Sequence, residues 1–95
     1  MAGALGTVPY STMRLCSGGG SYEAFPQPRL RVDLTDARAR LEASGLAVVD
    51  ARVMLIVAGE PEVTVSRDGR ILVKTRDPRE AEATLRRFLS LLRIE

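Results

Sequence analysis

At 95 residues, 45% hydrophobic and 27% charged, the chain has the composition of a globular protein and length for one small hydrophobic core. A formal net charge of +2, carried almost wholly by arginine with Lys74 as the single lysine, is too small to signal nucleic-acid binding without a basic cluster. One cysteine, Cys16, and no histidine exclude an internal disulfide framework and a His-activated thiol, and fit a reducing, cytoplasmic setting.

Residues 1–28 are rich in Gly, Pro, Ser and Thr, including the runs Ser17–Ser21 and Phe25–Pro28. This composition predicts a flexible N-terminal arm with one short extended piece at Thr12–Cys16, leaving 29–95 as the folded domain. Met1–Val8 lacks the basic and apolar regions of a signal peptide, and no apolar run reaches the roughly 18 residues of a membrane span. The more patterned run starts at Met13, an alternative start that would put Cys16 close to the N-terminus.

From Pro28 onward the punctuation is regular. Leu30 and Val32 alternate with Arg29, Arg31 and Asp33, the period of a half-buried strand. Thr35 and Asp36 are expected to cap a helix over 36–44, with Ala37 and Leu41 inward and Gly45 at its C-terminal stop. Strands follow at Leu46–Val49 and Arg52–Ala58, the second apolar on both sides and therefore expected at the centre of the sheet. Gly59-Glu60-Pro61 turns the chain.

Glu62–Leu92 is the most clearly written part. Val63 and Val65 face Ile71 and Val73 across Arg67-Asp68-Gly69-Arg70, where Asp-Gly predicts a type I′ hairpin. Asp77, Pro78 and Glu80 then read as cap, first helical residue and capping-box carboxylate. Ala81, Leu85, Phe88, Leu89 and Leu92 form the buried stripe of that helix, with Arg79, Glu82, Arg86 and Arg87 outward. The order β-α-β-β-β-β-α predicts an α+β fold, an antiparallel sheet of about five strands with two helices on one face.

The other sheet face is the candidate binding surface. If Val63, Val65, Ile71 and Val73 face the helices, then Glu62, Thr64, Ser66, Arg70, Leu72 and Lys74 face away, joined by alternate residues of Val53–Val57. Of these, Thr64, Ser66, Arg70, Leu72 and Lys74 are the candidate partner-binding residues, for a protein, a nucleic acid or a second copy. Phe25 is assigned to the arm and Phe88 to the helix stripe, which leaves this face without phenylalanine. Cys16, beside Arg14 and the glycine run, is the candidate thiol. No cofactor or metal is expected: the glycines lack the G-x-x-x-x-G-K-[ST] pattern, and the carboxylates Asp33, Asp36, Asp68 and Asp77 are explained by caps and turns. No complete catalytic constellation is present, and we expect no enzyme.

Val32-Asp33-Leu34, Val63-Thr64-Val65 with Asp68-Gly69-Arg70, and Asp77-Pro78 with Ala81 make residues 29–95 resemble the small C-terminal domain of prokaryotic adenylating enzymes of the ThiF/MoeB/HesA type. Leu15-Cys16 before the glycine run resembles the Leu-Cys-Gly that precedes that domain, with Ser17 intervening here. The resemblance implies a free-standing accessory domain that contacts a sulfur carrier or its activating enzyme, with Cys16 as a thiol for transfer. It implies no adenylation by this chain, which has no nucleotide-binding G-x-G-x-x-G unit. In element order, Val63–Thr75 and Ala81–Leu92 are also similar to one repeat of the TATA-binding protein, which implies the same topology and a sheet face directed at a partner.

Overall fold

The computed structural model describes residues 14–15, 19–26 and 31–93. It is an α+β fold: a six-stranded antiparallel sheet with two helices packed on one face. The strands are β1 (Arg14–Leu15), β2 (Tyr22–Ala24), β3 (Val48–Asp50), β4 (Met54–Val57), β5 (Val63–Ser66) and β6 (Ile71–Val73), in the spatial order β1-β2-β6-β5-β4-β3. The helices are α1 (Leu34–Ala43) and α2 (Pro78–Leu92). Helix α1 packs over β3 and β4, α2 over β2 and β6, and the two helices touch each other.

One core lies between the layers. Leu55, Val57, Val63, Val65, Ile71 and Val73 project into it from the sheet, where they meet Ala37 and Leu41 of α1. The expected stripe of α2 is buried in full, and Thr84 is buried with it. No buried side-chain polar atom among the described residues lacks a hydrogen-bond partner.

The first strand of the domain is displaced from its expected place. Residues 31–33 are not a strand; the Val32 N–H donates to the Arg67 carbonyl (2.9 Å), and Val32 is buried as a connector. The sheet takes Tyr22–Ala24 instead, from within the segment assigned to the arm, and pairs it with β6 through Tyr22–Val73, Glu23–Leu72 and Ala24–Ile71. Ala24 is fully buried. Its small side chain lies in the closed space between β2 and the α2 helix packed over it. The arm boundary at 28 is corrected accordingly. Of the expected extended piece Thr12–Cys16, Arg14–Leu15 pairs with β2, and the rest lies outside the described residues.

Helix α1 begins earlier than expected because Asp33, not Thr35 or Asp36, is its cap, accepting from the Thr35 N–H (3.0 Å) and Asp36 N–H (3.2 Å). Asp36 instead pairs with Arg40 one turn on (2.7 Å). Gly45 follows the helix with φ 89°, the left-handed stop its position implied. Strand β4 is second from the edge and not central: Leu55 and Val57 are buried, Met54 and Ile56 only half so. Its outer neighbour is β3, formed two residues later than expected.

The hairpin from β5 to β6 has the expected register but a different turn. Gly69 alone among Arg67–Arg70 carries positive φ (92°), its N–H donates to the Ser66 carbonyl (2.9 Å), and the Ser66 N–H donates to the Arg70 carbonyl (2.9 Å). This is the three-residue loop ending in a left-handed bulge glycine, which leaves Asp68 free of the left-handed strain a type I′ turn would impose. At α2, Asp77 caps by accepting from the Arg79 N–H (2.9 Å). Glu80 does not close a capping box; it accepts from the Thr75 hydroxyl (2.6 Å), whose oxygen accepts from the Asp77 N–H (3.1 Å). The threonine is thereby interposed in the reciprocal bond the sequence suggested.

Candidate functional site

Residues paired directly across antiparallel strands project from the same side of the sheet. The register therefore defines a row on the face opposite the helices: Arg14, Glu23, Leu72, Thr64, Ile56 and Val49, one from each strand. Met54 and Ser66, also paired, belong to a second row beside it. Of the expected surface residues, Thr64 and Leu72 lie at the centre of this face, and Ser66 and Arg70 lie at its hairpin end. Lys74 extends the ladder at the opposite end, where its N–H donates to the Glu62 carbonyl (2.9 Å), so it does not meet Ser66 or Arg70. Cys16 lies outside the described residues.

The face is apolar in the middle and toward β3. Leu72 and Ile56 flank Thr64, and Val49 at the sheet edge is 60% exposed. Toward β1 it becomes ionic. Glu23, only 15% exposed, accepts from Arg14 (3.2 Å) and faces Arg70 (3.6 Å), one carboxylate oxygen to each guanidinium. Sequence reading had no means of finding this cluster, because Glu23 and Arg14 fell in the expected arm.

At the hairpin end the face deepens into a hollow of about 700 Å³. Val53, Met54 and Phe25 supply its apolar part, and Arg31, Ser66, Arg67, Asp68 and Arg70 line the remainder. Phe25 thus belongs to the sheet face after all: following Ala24 of β2, it projects to the opposite side, and Arg14 stacks over its ring at 5.8 Å. Against the expectation, the face does present a phenylalanine.

A second hollow, of about 560 Å³, adjoins the first and shares Arg31 and Arg67 with it. Arg52 adds a third guanidinium there, opposite Asp33 and Asp50. The backbone holds Arg52 in an unusual way. Its φ is 74°, and the Val53 N–H donates back to the Ala51 carbonyl (2.9 Å), a γ-turn of the rare, strained hand. Asp50 Oδ1 accepts from the Arg52 N–H (2.8 Å) and the Arg67 guanidinium donates to the Arg52 carbonyl (3.3 Å), so the strained residue is fixed from both sides. Nothing in the local sequence foretold the turn, since Arg is not a residue that favours positive φ.

Among the described residues no group of three or more His, Cys, Asp or Glu side chains is placed to hold a metal ion, and no helix is long and apolar enough to cross a membrane. The groups this surface presents are apolar side chains, hydroxyl donors and forked guanidinium donors. No protein-family model, no curated protein and no solved structure matches this chain.

Proposed function

We propose that this protein is a non-enzymatic interaction module that binds a protein partner through the uncovered sheet face, as an accessory to the activation of a sulfur carrier or other ubiquitin-like protein. The observation that carries this reading is the row Glu23, Leu72, Thr64, Ile56 and Val49. Five adjacent strands contribute one residue each to a surface that is apolar at its centre and ionic at one end. That distribution is the make-up of a recognition patch, with an apolar middle to desolvate and charged residues at the rim to set orientation. The context comes from the resemblance of residues 29–95 to the small domain of ThiF/MoeB/HesA-type enzymes, and Cys16 is the thiol this reading would engage.

The test is a titration of isotope-labelled protein with a purified sulfur carrier ending in Gly-Gly, followed by amide chemical shifts. The reading expects shifts at Thr64, Leu72 and Ile56, weakened by Leu72→Lys. Shifts confined to the helix layer, or none at millimolar carrier, would sink it. Running the titration with Cys16→Ala separates surface recognition, which survives, from thiol engagement, which does not.

A second reading has its own support in the arginines around the two hollows. A TATA-binding-protein-like module, or another nucleic-acid-associated one, would use Arg31, Arg52, Arg67 and Arg70 against phosphates. It expects binding to oligonucleotides that falls steeply with salt, because each phosphate contact releases counterions.

A further inference from the structure

We propose that the paired hollows at the hairpin end of the sheet bind an acidic, aliphatic peptide segment of a partner protein. Its apolar side chain would seat on Val53 and Met54, and its carboxylates would face Arg31, Arg52 and Arg67. The proposal rests on the reading of the uncovered face as a protein-binding surface, and it adds the chemistry of what is bound.

The charges are not already satisfied within the protein. Among the described residues the Arg31 and Arg52 side chains form no hydrogen bond or ion pair, and the Arg67 guanidinium meets only the Arg52 carbonyl. The nearby carboxylates are engaged differently. Asp33 accepts from the first N–H groups of α1, Asp50 accepts from the Arg52 N–H through one oxygen and faces the Arg38 guanidinium (3.7 Å) through the other, and Asp68 accepts from the Arg70 N–H (3.1 Å). None of the three is paired with the Arg31, Arg52 or Arg67 side chain, so these guanidiniums keep forked donors for an external anion.

Arg52 is the most telling of the three. A glycine would occupy φ 74° without strain, yet an arginine stands there, clamped by Asp50 and Arg67. The clamp fixes the backbone from which this guanidinium projects, and so reduces what must be ordered on binding.

The remaining lining selects peptide over nucleic acid. The apolar part is aliphatic and thioether, Val53 and Met54, suited to a leucine- or isoleucine-sized side chain. The one aromatic, Phe25, has Arg14 across its ring and offers no open stack for successive bases. Asp33, Asp50 and Asp68 around the rim repel a continuous row of phosphates. A peptide with carboxylates spaced by apolar residues avoids them.

The experiment is fluorescence anisotropy with a labelled peptide of alternating Glu and Leu, its Gln-for-Glu counterpart, and a single-stranded oligonucleotide of similar length, at low salt and neutral pH. The proposal expects the Glu peptide to bind, the Gln peptide to bind about tenfold more weakly, and Arg31→Ala and Arg52→Gly each to cost about tenfold. Arg52→Gly is the decisive variant because glycine suits its backbone, so loss of binding cannot be ascribed to loss of fold. Equal binding of the two peptides, unchanged binding by both variants, or tighter binding of the oligonucleotide would overturn the proposal. So would competition by a second copy of this chain, seen as peptide-reversible dimerisation in sedimentation. A carrier protein that still shifts Thr64 and Leu72 while the Glu peptide fails overturns this proposal and leaves the broader one standing. Peptide binding without any carrier binding does the reverse.

Discussion

The guanidinium of Arg67 donates to the carbonyl of Arg52 at 3.3 Å, joining the β5–β6 turn to the β3–β4 turn. The backbone of Arg67 adds two more links, its N–H to the Val53 carbonyl (3.0 Å) and its carbonyl from the Val32 N–H (2.9 Å). Three separate segments therefore meet at one residue. Arg67→Ala removes the guanidinium bond and leaves the two backbone links. Because that bond is exposed, its loss should cost about 0.5 kcal/mol, the low end for a hydrogen bond. A urea titration checks this: the midpoint falls slightly at unchanged slope.

Arg52→Gly should act in the opposite direction. It relieves the positive φ of a non-glycine residue and should raise stability by about 1 kcal/mol, or about 4–8 °C in melting temperature for a domain of this size. Arg52→Ala is the control. It removes the same side chain while keeping the strain, and should show no such gain.

Gly69→Ala tests the turn itself. With φ 92° at the bulge position, a β-carbon is strained whatever space surrounds it, and the expected loss is about 1–2 kcal/mol by thermal denaturation. A type I′ turn would have made Asp68 equally sensitive. Here Asp68→Gly should bring no comparable gain.

Core and surface substitutions should separate cleanly. Phe88, 1% exposed in the buried stripe of α2, should cost about 3–5 kcal/mol as Phe88→Ala, much of the stability of a domain this small. Leu72→Lys, on the uncovered face beside Glu23, should stay within about 1 kcal/mol of the parent while weakening carrier binding. A variant that loses binding and fold together would return Leu72 to a purely structural role.

The elements legible in the sequence were those written in short-range patterns. The Val63/Val65 and Ile71/Val73 alternation, the glycine stop after α1 and the Asp77-Pro78 start of α2 each follow from neighbours a few residues apart. The misplaced first strand shows the limit of such patterns. Leu30 and Val32 alternate with polar residues as a strand would, but a strand exists only where a partner supplies hydrogen bonds, and β6 is already paired with Tyr22–Ala24. That choice is made by residues far apart in sequence and leaves little local trace in a three-residue segment between glycines and prolines. The same error hid part of the uncovered face. Thr64, Ser66, Arg70 and Leu72 could be assigned to it because they lie in the readable hairpin, whereas Glu23, Phe25 and Arg14 were missed with the strand that carries or abuts them. Arg52 was missed for another reason, since its turn contradicts its residue type.

The pairing of β2 with β6 also sets an order of assembly. Strands β3 to β6 are sequential neighbours and can zip up one hairpin after another, while β2 must return across almost the whole domain to close the sheet, so its contacts carry the largest loop-closure cost. Its amides, together with those of the two-residue edge strand β1, which pairs only with β2, should exchange with solvent earlier than those of β4, β5 and β6, opening without global unfolding. Glu23 and the Phe25 wall of the hollow are presented on the uncovered face only while β2 is docked. A partner seated on them should therefore slow exchange in Tyr22–Ala24 more than in β4 or β5, so that recognition acts as a latch on the last-formed strand.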